Sequence, residues 1–449
     1  MSFDLELFLC KKNEKEKEME KQLVIGIQER PSSIGKWIAL SFQHVFAMFG
    51  ATVLVPILTG LDVGVALVAS GVGTLIYIAS TKGKVPVYLG SSFAYIGAII
   101  AAGAVNGFSS AYVGLITVGL IYVIVALIIK FVGSAWLKKL LPPVVIGPMI
   151  MIIGLGLASV ATAQAGINPT DASLGFLAGD WRNPVIALIT FLTVVVIALK
   201  AKGFYQIVPF LIAIFVGYVF AILFGVVDLS TAFGGAKFIN APDFAFIGTY
   251  TLDFSAVLMF APIAFVTIAE HIGDHTVLGE ICGEDFITDP GLDKTLMGDG
   301  IATAVSAMLG GPANTTYGEN TGVVAMTKVG SVYVTGLAAI IAILLGFLGY
   351  IQAFINSIPL PVMGGIALVL FGLIAGNGVK VIVRAKVDLF DMKNLIIVAT
   401  MLVIGIGSAS FAINEAVSLQ GMSLAAIVGI ALNGFFHLLE RLFPTKTEA

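Results

Sequence analysis

The sequence predicts an all-α polytopic membrane protein whose fourteen spans form a 7+7 inverted repeat. Three observations predict it. Of the 449 residues, 58% are hydrophobic and only 11% charged, with a mean hydropathy of +1.03, whereas soluble domains carry about 25% charged residues. Lysine and arginine collect in alternate loops between the apolar stretches. Two short segments recur, in the same order and at nearly one spacing, in the two halves of the chain.

A helix needs about 20 apolar residues to cross the hydrocarbon core. Read between polar breaks, the first half offers stretches near 38–58, 64–81, 85–104, 111–133, 141–165, 183–201 and 206–227. The second half offers 254–277, 297–310, 313–327, 330–350, 358–379, 392–411 and 420–439. Stretches 85–104, 297–310 and 313–327 are short or broken by Gly, Pro, Ser and Asn. With a cytoplasmic N-terminus, the inner loops hold pairs such as Lys82 and Lys84 or Lys200 and Lys202, and the outer loops keep only Arg182 and Lys237. Both ends are then cytoplasmic, and Cys10 and Cys282, the only cysteines, lie on the reducing side, where no disulfide is expected. Residues 1–36 mix both charge signs without an apolar core and read as a solvated cytoplasmic tail rather than a secretory signal. No basic stripe points to nucleic acid, and the lipid bilayer is the partner that composition dictates.

The repeat is carried by two matches. Residues 143–155 (PVVIGPMIMIIGL) match 361–373 (PVMGGIALVLFGL) through Pro143, Val144, Gly147, Gly154 and Leu155 against Pro361, Val362, Gly365, Gly372 and Leu373. Residues 91–95 (SSFAY) match 315–319 (TTYGE). A unit of seven spans is odd, so the second copy is flipped in the membrane. Such folds bind solutes near the midplane, at interrupted helices in corresponding positions of the two halves. Here those are the third and tenth stretches. Irregular backbone at that depth is tolerated where it is buried in protein or lines water.

Acids lie mainly in tails and loops, with the exception of Glu270, Asp274 and Glu319, and of Asp299 near the end of a weak stretch. Glu270 and Asp274 are four apart and share one helical face; His271 and His275 share another about 100° round. No Lys or Arg lies within these spans to neutralise the acids. An acid at the centre of a membrane helix costs roughly 3 kcal/mol to insert, so such a group exchanges a proton readily near neutral pH. The alternative is that polar side chains glue helices together, and His44 is read that way. His271 and His275 have a spacing that suits zinc, but no HExxH motif accompanies them. The absence of GxxxxGK[ST] argues against an ATP-driven pump, and no nucleophile–base pair marks an enzyme. Two carboxylates with exposed backbone amides suit a small planar solute such as an imide, whose N–H groups donate to the acids and whose carbonyls accept from the backbone. Gly318 lets backbone approach closely, and Phe93 and Tyr317 offer flat faces. A cation or a sugar remains open on these grounds, as does an ion channel, which counterflow of labelled solute would exclude.

At these residues a resemblance is evident. QHVFAMFGATVLVP (43–56), GSSFAYIG (90–97), IAEHIGDH (268–275), NTTYGENTGV (314–323) and IPLPVMGGI (358–366) occur in order and resemble the nucleobase–cation symporters (nucleobase/ascorbate transporters), in particular their bacterial uracil permeases. The resemblance spans about residues 25–440. It implies a proton-coupled uracil symporter of the bacterial cytoplasmic membrane, not an enzyme and without a cofactor, working by alternating access; another nucleobase, xanthine or a further pyrimidine, is the alternative. It implies a core domain from residues 37–133 and 254–350 and a gate domain from 141–228 and 358–443, with spans 3 and 10 each containing an extended segment that pairs antiparallel with the other. Glu270 resembles the carboxylate that accepts ring N–H groups, and Glu319 the second carboxylate on the imide edge. The backbone amides of Phe93 and Gly318 resemble the donors to the ring carbonyls, and Ala51 and Tyr317 resemble cavity-lining residues. Proton coupling falls to Glu270, Asp274 and Glu319. Purine and xanthine relatives usually carry Gln where Glu319 stands, which favours a pyrimidine. Some uracil permeases carry His where this chain has Asp274. The reading leaves room for a homodimer.

Overall fold

The protein is described from a computed structural model, in which residues 23–167, 180–246, 248–250, 252–407, 409–412 and 418–443 are described. Most of the expected tail, Cys10 and Lys446 lie outside them. Helices occupy all fourteen apolar stretches. The first half contains α1 (Ile34–Thr59), α2 (Val63–Ser80), α3 (Ile96–Asn106), α4 (Phe108–Val132), α5 (Pro143–Leu155), α6 (Arg182–Lys200) and α7 (Pro209–Leu223). The second half contains α8 (Phe254–Cys282), α9 (Leu292–Met308), α10 (Gly318–Thr327), α11 (Val332–Gly346), α12 (Leu360–Arg384), α13 (Met392–Ile406) and α14 (Gly421–Leu442). Among the described residues, eight helices are long and apolar enough to cross a membrane, counting α5 with its continuation Ala158–Gln164. Four shorter apolar helices involve α3, α7, α11 and α13. The chain is a predominantly helical, multi-pass membrane protein.

Local sequence sets the breaks. Asp62 caps α2 by accepting from Val65 N (2.7 Å), and Asp253 caps α8 by accepting from Ser255 N (2.9 Å). Ser110 and Asn106 also donate to Asp253, which lies at the end of its helix and whose carboxyl these bonds hold well below the usual carboxylate range against the opposing effect of desolvation. Pro209 starts α7 and separates it from the short turn Phe204–Ile207, so the seventh helix is shorter than the apolar stretch. The stretch 330–350 divides likewise, with Gly349–Asn356 forming a separate helix. Leu120, Ile124, Leu127, Ile128 and Phe131 expose one stripe of α4 that no protein covers, as a lipid-facing helix should.

Packing sorts the helices into two groups. In the first, α9 packs on α4 and α2, α11 on α2 and α1, and α8 on α4. In the second, α12 packs on α5 and α6, α7 on α6, and α13 on α14 and α5. The repeated glycines explain one of these contacts. A Cβ on Gly154 would stand 2.1 Å from the Phe371 carbonyl oxygen and 2.8 Å from Ala375 N, and one on Gly147 2.5 Å from Ile382 Cγ1. Without a hydrophobic drive between helices in lipid, such small residues let α5 and α12 touch backbone to backbone. Gly372, matched to Gly154 in the repeat, has nothing within 4 Å of its would-be Cβ. Gly154→Ala is therefore expected to cost about 1–3 kcal/mol and to lower the melting temperature in detergent, with Gly372→Ala unchanged; equal melting of the two variants would contradict this packing.

Candidate substrate and proton site

The third and tenth helices start late because the chain before each is a strand. Strand β1 (Leu89–Ser91) pairs antiparallel with β2 (Asn314–Thr316), Leu89 opposite Thr316, Gly90 opposite Thr315 and Ser91 opposite Asn314. Ser92 N bonds Ala313 O (2.9 Å) and Tyr317 N bonds Tyr88 O (3.2 Å), extending the ladder at both ends. Two strands leave two outer edges of backbone, which lipid would not tolerate. Helix hydroxyls cover both. Ser70 donates to Leu89 O (2.8 Å) and Thr74 accepts from Leu89 N (2.9 Å), both from α2. Thr303 donates to Asn314 O (3.1 Å) and Ser306 to Pro312 O, both from α9. α2 and α9 hold corresponding places in the two halves, so the repeat extends to the groups that satisfy the strands.

From the ladder the chain leaves in two half-helices, one entered through the turn Phe93–Tyr95 and the other at Gly318. The first N–H groups of a helix have no intrahelical partner and carry the positive end of its dipole. Phe93 is half-buried. Gly318 is exposed, and a Cβ there would meet no atom within 4 Å, so its backbone borders open space. Glu319 follows it in the first turn and is half-buried. Helix α8 packs against α10, β2 and the Phe93–Tyr95 turn. It presents Glu270 and Asp274, both half-buried, on one face, and His271 and His275, both fully buried, on another. Thr316 of β2 donates to Asp274 Oδ2 (2.5 Å). Glu270, Asp274 and Glu319 lie close enough to feel one another's charge.

Ala51 and Tyr317 are almost fully covered, 1% and 4% exposed. Tyr317 is a brace: its hydroxyl donates to Ser91 O (3.0 Å) and accepts from Thr52 (3.2 Å). Its ring lies where a Cβ on Gly90 would come within 2.3 Å, which explains the glycine in β1. His44 is a structural hydrogen-bonder, as its sequence context suggests: Asn320 Nδ2 reaches both His44 Nδ1 and His44 O at 3.1 Å, tying α1 to α10.

Interrupted helices that meet beside a row of acids are a pattern found at the solute sites of secondary transporters. The model of the Permease family (Xan_ur_permease) matches residues 35–413. The chain belongs to this family. The permease is 48% identical over 413 residues to the uracil permease of Bacillus caldolyticus, covering 91% of this chain and 94% of that one. It is 44% identical to the uracil permease of Bacillus subtilis (92% and 95% covered) and 42% identical to that of Escherichia coli K12 (94% and 96% covered). Its fold resembles the transmembrane domain of the cyanobacterial bicarbonate transporter BicA, with a TM-score of 0.61 at 17% identity (90% and 98% covered). It also resembles the murine anion transporter Slc26a9 in its inward-facing state, with a TM-score of 0.70 at 9% identity (92% and 69% covered).

The candidate site includes contacts that no sequence pattern signals. Phe371 of α12 meets the Phe93 ring edge-on, with centroids 6.3 Å apart at 74°, and is itself 3% exposed. It brings the second helix group against the half-helix that carries Phe93. Beside this contact a cavity of about 200 Å³ is lined by Phe93, Gly97, Ile152, Met259, Ile263 and Met422, drawn from both groups. Thr316 belongs to the TTYGENTG segment, but its role as donor to Asp274 depends on the pairing of β2 beside α8.

Proposed function

We propose that this permease imports uracil with protons across a bacterial cytoplasmic membrane. In this reading all fourteen helical stretches cross or enter the bilayer, both termini are cytoplasmic, and the first helix group is the core domain and the second the gate. The ring N–H groups of uracil donate to Glu270 and Glu319, and its carbonyls accept from the Phe93 and Gly318 amides. Asp274, held by Thr316, shares the coupling proton with Glu270 and Glu319.

The observation that carries the reading is the acid row itself. Glu270 and Glu319 are half-buried beside two helix N-termini, and neither α8, α3 nor α10 contains a Lys or Arg to pair with them. Unpaired acids at membrane depth mark substrate and proton paths. Relatives of more than 40% identity named uracil permeases supply the substrate. The sorting of helices into two packed groups supports a core moving against a gate.

Competition tests the substrate. Uptake of labelled uracil into proteoliposomes is expected to be suppressed by excess unlabelled uracil and little affected by xanthine. Suppression by xanthine with indifference to uracil would move the assignment to another nucleobase.

A further inference from the structure

Behind the acid row lies a second set of titratable groups that substrate binding does not use. His271 Nδ1 and Asp299 Oδ2 are 2.8 Å apart, joining α8 to α9, and both side chains are 0% exposed. The remaining atoms of this pair, His271 Nε2 and Asp299 Oδ1, are buried without a hydrogen-bond partner. His275 stacks on His271 with centroids 3.9 Å apart, yet its nitrogens are both engaged. The His271 carbonyl can only accept, so His275 Nδ1 donates to it (2.7 Å), and His275 Nε2 meets the Tyr77 hydroxyl. Tyr122 stands edge-on to His271. Asp299 is near enough to Tyr77, Tyr95 and Tyr122 to act on them electrostatically, and also to Glu270 and Asp274 in the acid row, which in turn feel Glu319. Among the described residues no lysine or arginine bonds to this set.

We propose that Asp299 and His271 form a second proton-binding pair of the transport cycle, linked through charge to the acid row of α8. A purely structural role fits poorly. Each buried orphan polar atom forfeits its water without recompense, and a well-packed apolar pair would brace α8 against α9 without that loss. The orphan atoms have a use if the pair changes charge. In the unloaded state His271 Nδ1–H donates to a carboxylate and the pair carries one negative charge. On loading, one proton adds at Nε2 or Oδ1, taken from water, and the pair becomes neutral overall. The 2.8 Å hydrogen bond survives in both states, because the proton enters at an atom that holds no other bond. His275 has no such free atom. Loading also removes a negative charge facing Glu270, so proton occupancy of the pair is coupled to that of the substrate site.

This inference rests on the proton-coupled reading above, and one experiment separates the two. Accumulation of labelled uracil in proteoliposomes is measured against the imposed pH gradient with the membrane potential clamped at zero, alongside uracil–uracil exchange without a gradient. Each coupled proton raises the accumulation limit about tenfold per pH unit. Asp299→Asn and His271→Asn are expected to keep exchange within about twofold while the accumulation limit falls about tenfold per pH unit, one proton fewer than wild type; Asp299→Glu, which restores the carboxylate, is expected to recover it. Wild-type accumulation that ignores the pH gradient would overturn the proton-coupled reading. An unchanged slope in both Asn variants would overturn the pair alone. Loss of exchange together with accumulation in both would assign the pair to the packing of the core and also overturn the proposal.

Discussion

Glu319→Gln is expected to weaken uracil binding on the order of ten- to a hundredfold, the equivalent of losing one charge-assisted hydrogen bond. A carboxylate accepts from the imide N–H without offering a competing donor. Glutamine accepts through its oxygen, but its NH₂ faces the same edge and the charge assistance is gone. Glu319 sits half-buried in the first turn of α10, and glutamine matches glutamate in size there, so the variant should fold. Equilibrium binding to purified protein checks it, and wild-type affinity in the folded variant would remove Glu319 from the site.

The second large effect is expected at Asp274. Asp274→Asn should bind and exchange uracil while the accumulation limit falls by about tenfold per pH unit of gradient, the loss of one coupled proton. Asp274 stands one helical turn from Glu270 on the same face of α8, and two nearby acids resist ionising together, which favours sharing one proton between them. Asn preserves size and, through its oxygen, can still accept from Thr316 Oγ1, so the link between α8 and β2 is kept. It cannot take up or lose a proton. If Asp274 only braces the helix through Thr316, Asn would preserve accumulation. Measuring binding and gradient-driven uptake on one preparation decides between the two.

Much of this arrangement was legible in the sequence because lipid constrains it so tightly. Hydropathy located the helical stretches, since a span has few ways to satisfy its backbone. The i, i+4 spacing placed Glu270 and Asp274 on one face and the histidines on another, and the structure keeps that division. The match of SSFAY with TTYGE located the interrupted helices, although the strands themselves begin earlier, at Leu89 and Asn314. Local chemistry misjudged lengths where a proline or glycine divides an apolar run. α5 stops at Leu155, and Pro209 shortens α7. Contacts between distant elements were beyond reach. The sequence put Asp299 near the end of a weak span; its partner His271 is known only once α9 lies on α8. Tyr317 read as a flat face for a ligand, and the structure finds it fastened to Ser91 and Thr52. Phe371 lies in the repeated PVMGGIALVLFGL segment, but nothing in that pattern indicates that its ring meets Phe93.

The central claim, uracil import driven by protons through an unpaired acid row, is tested most directly by uptake of labelled uracil into sodium-free proteoliposomes with the outside made acidic. The account predicts that uptake rises above its level at equal pH and overshoots before decaying as the gradient collapses. Uptake that requires sodium and shows no response to the pH gradient would contradict it.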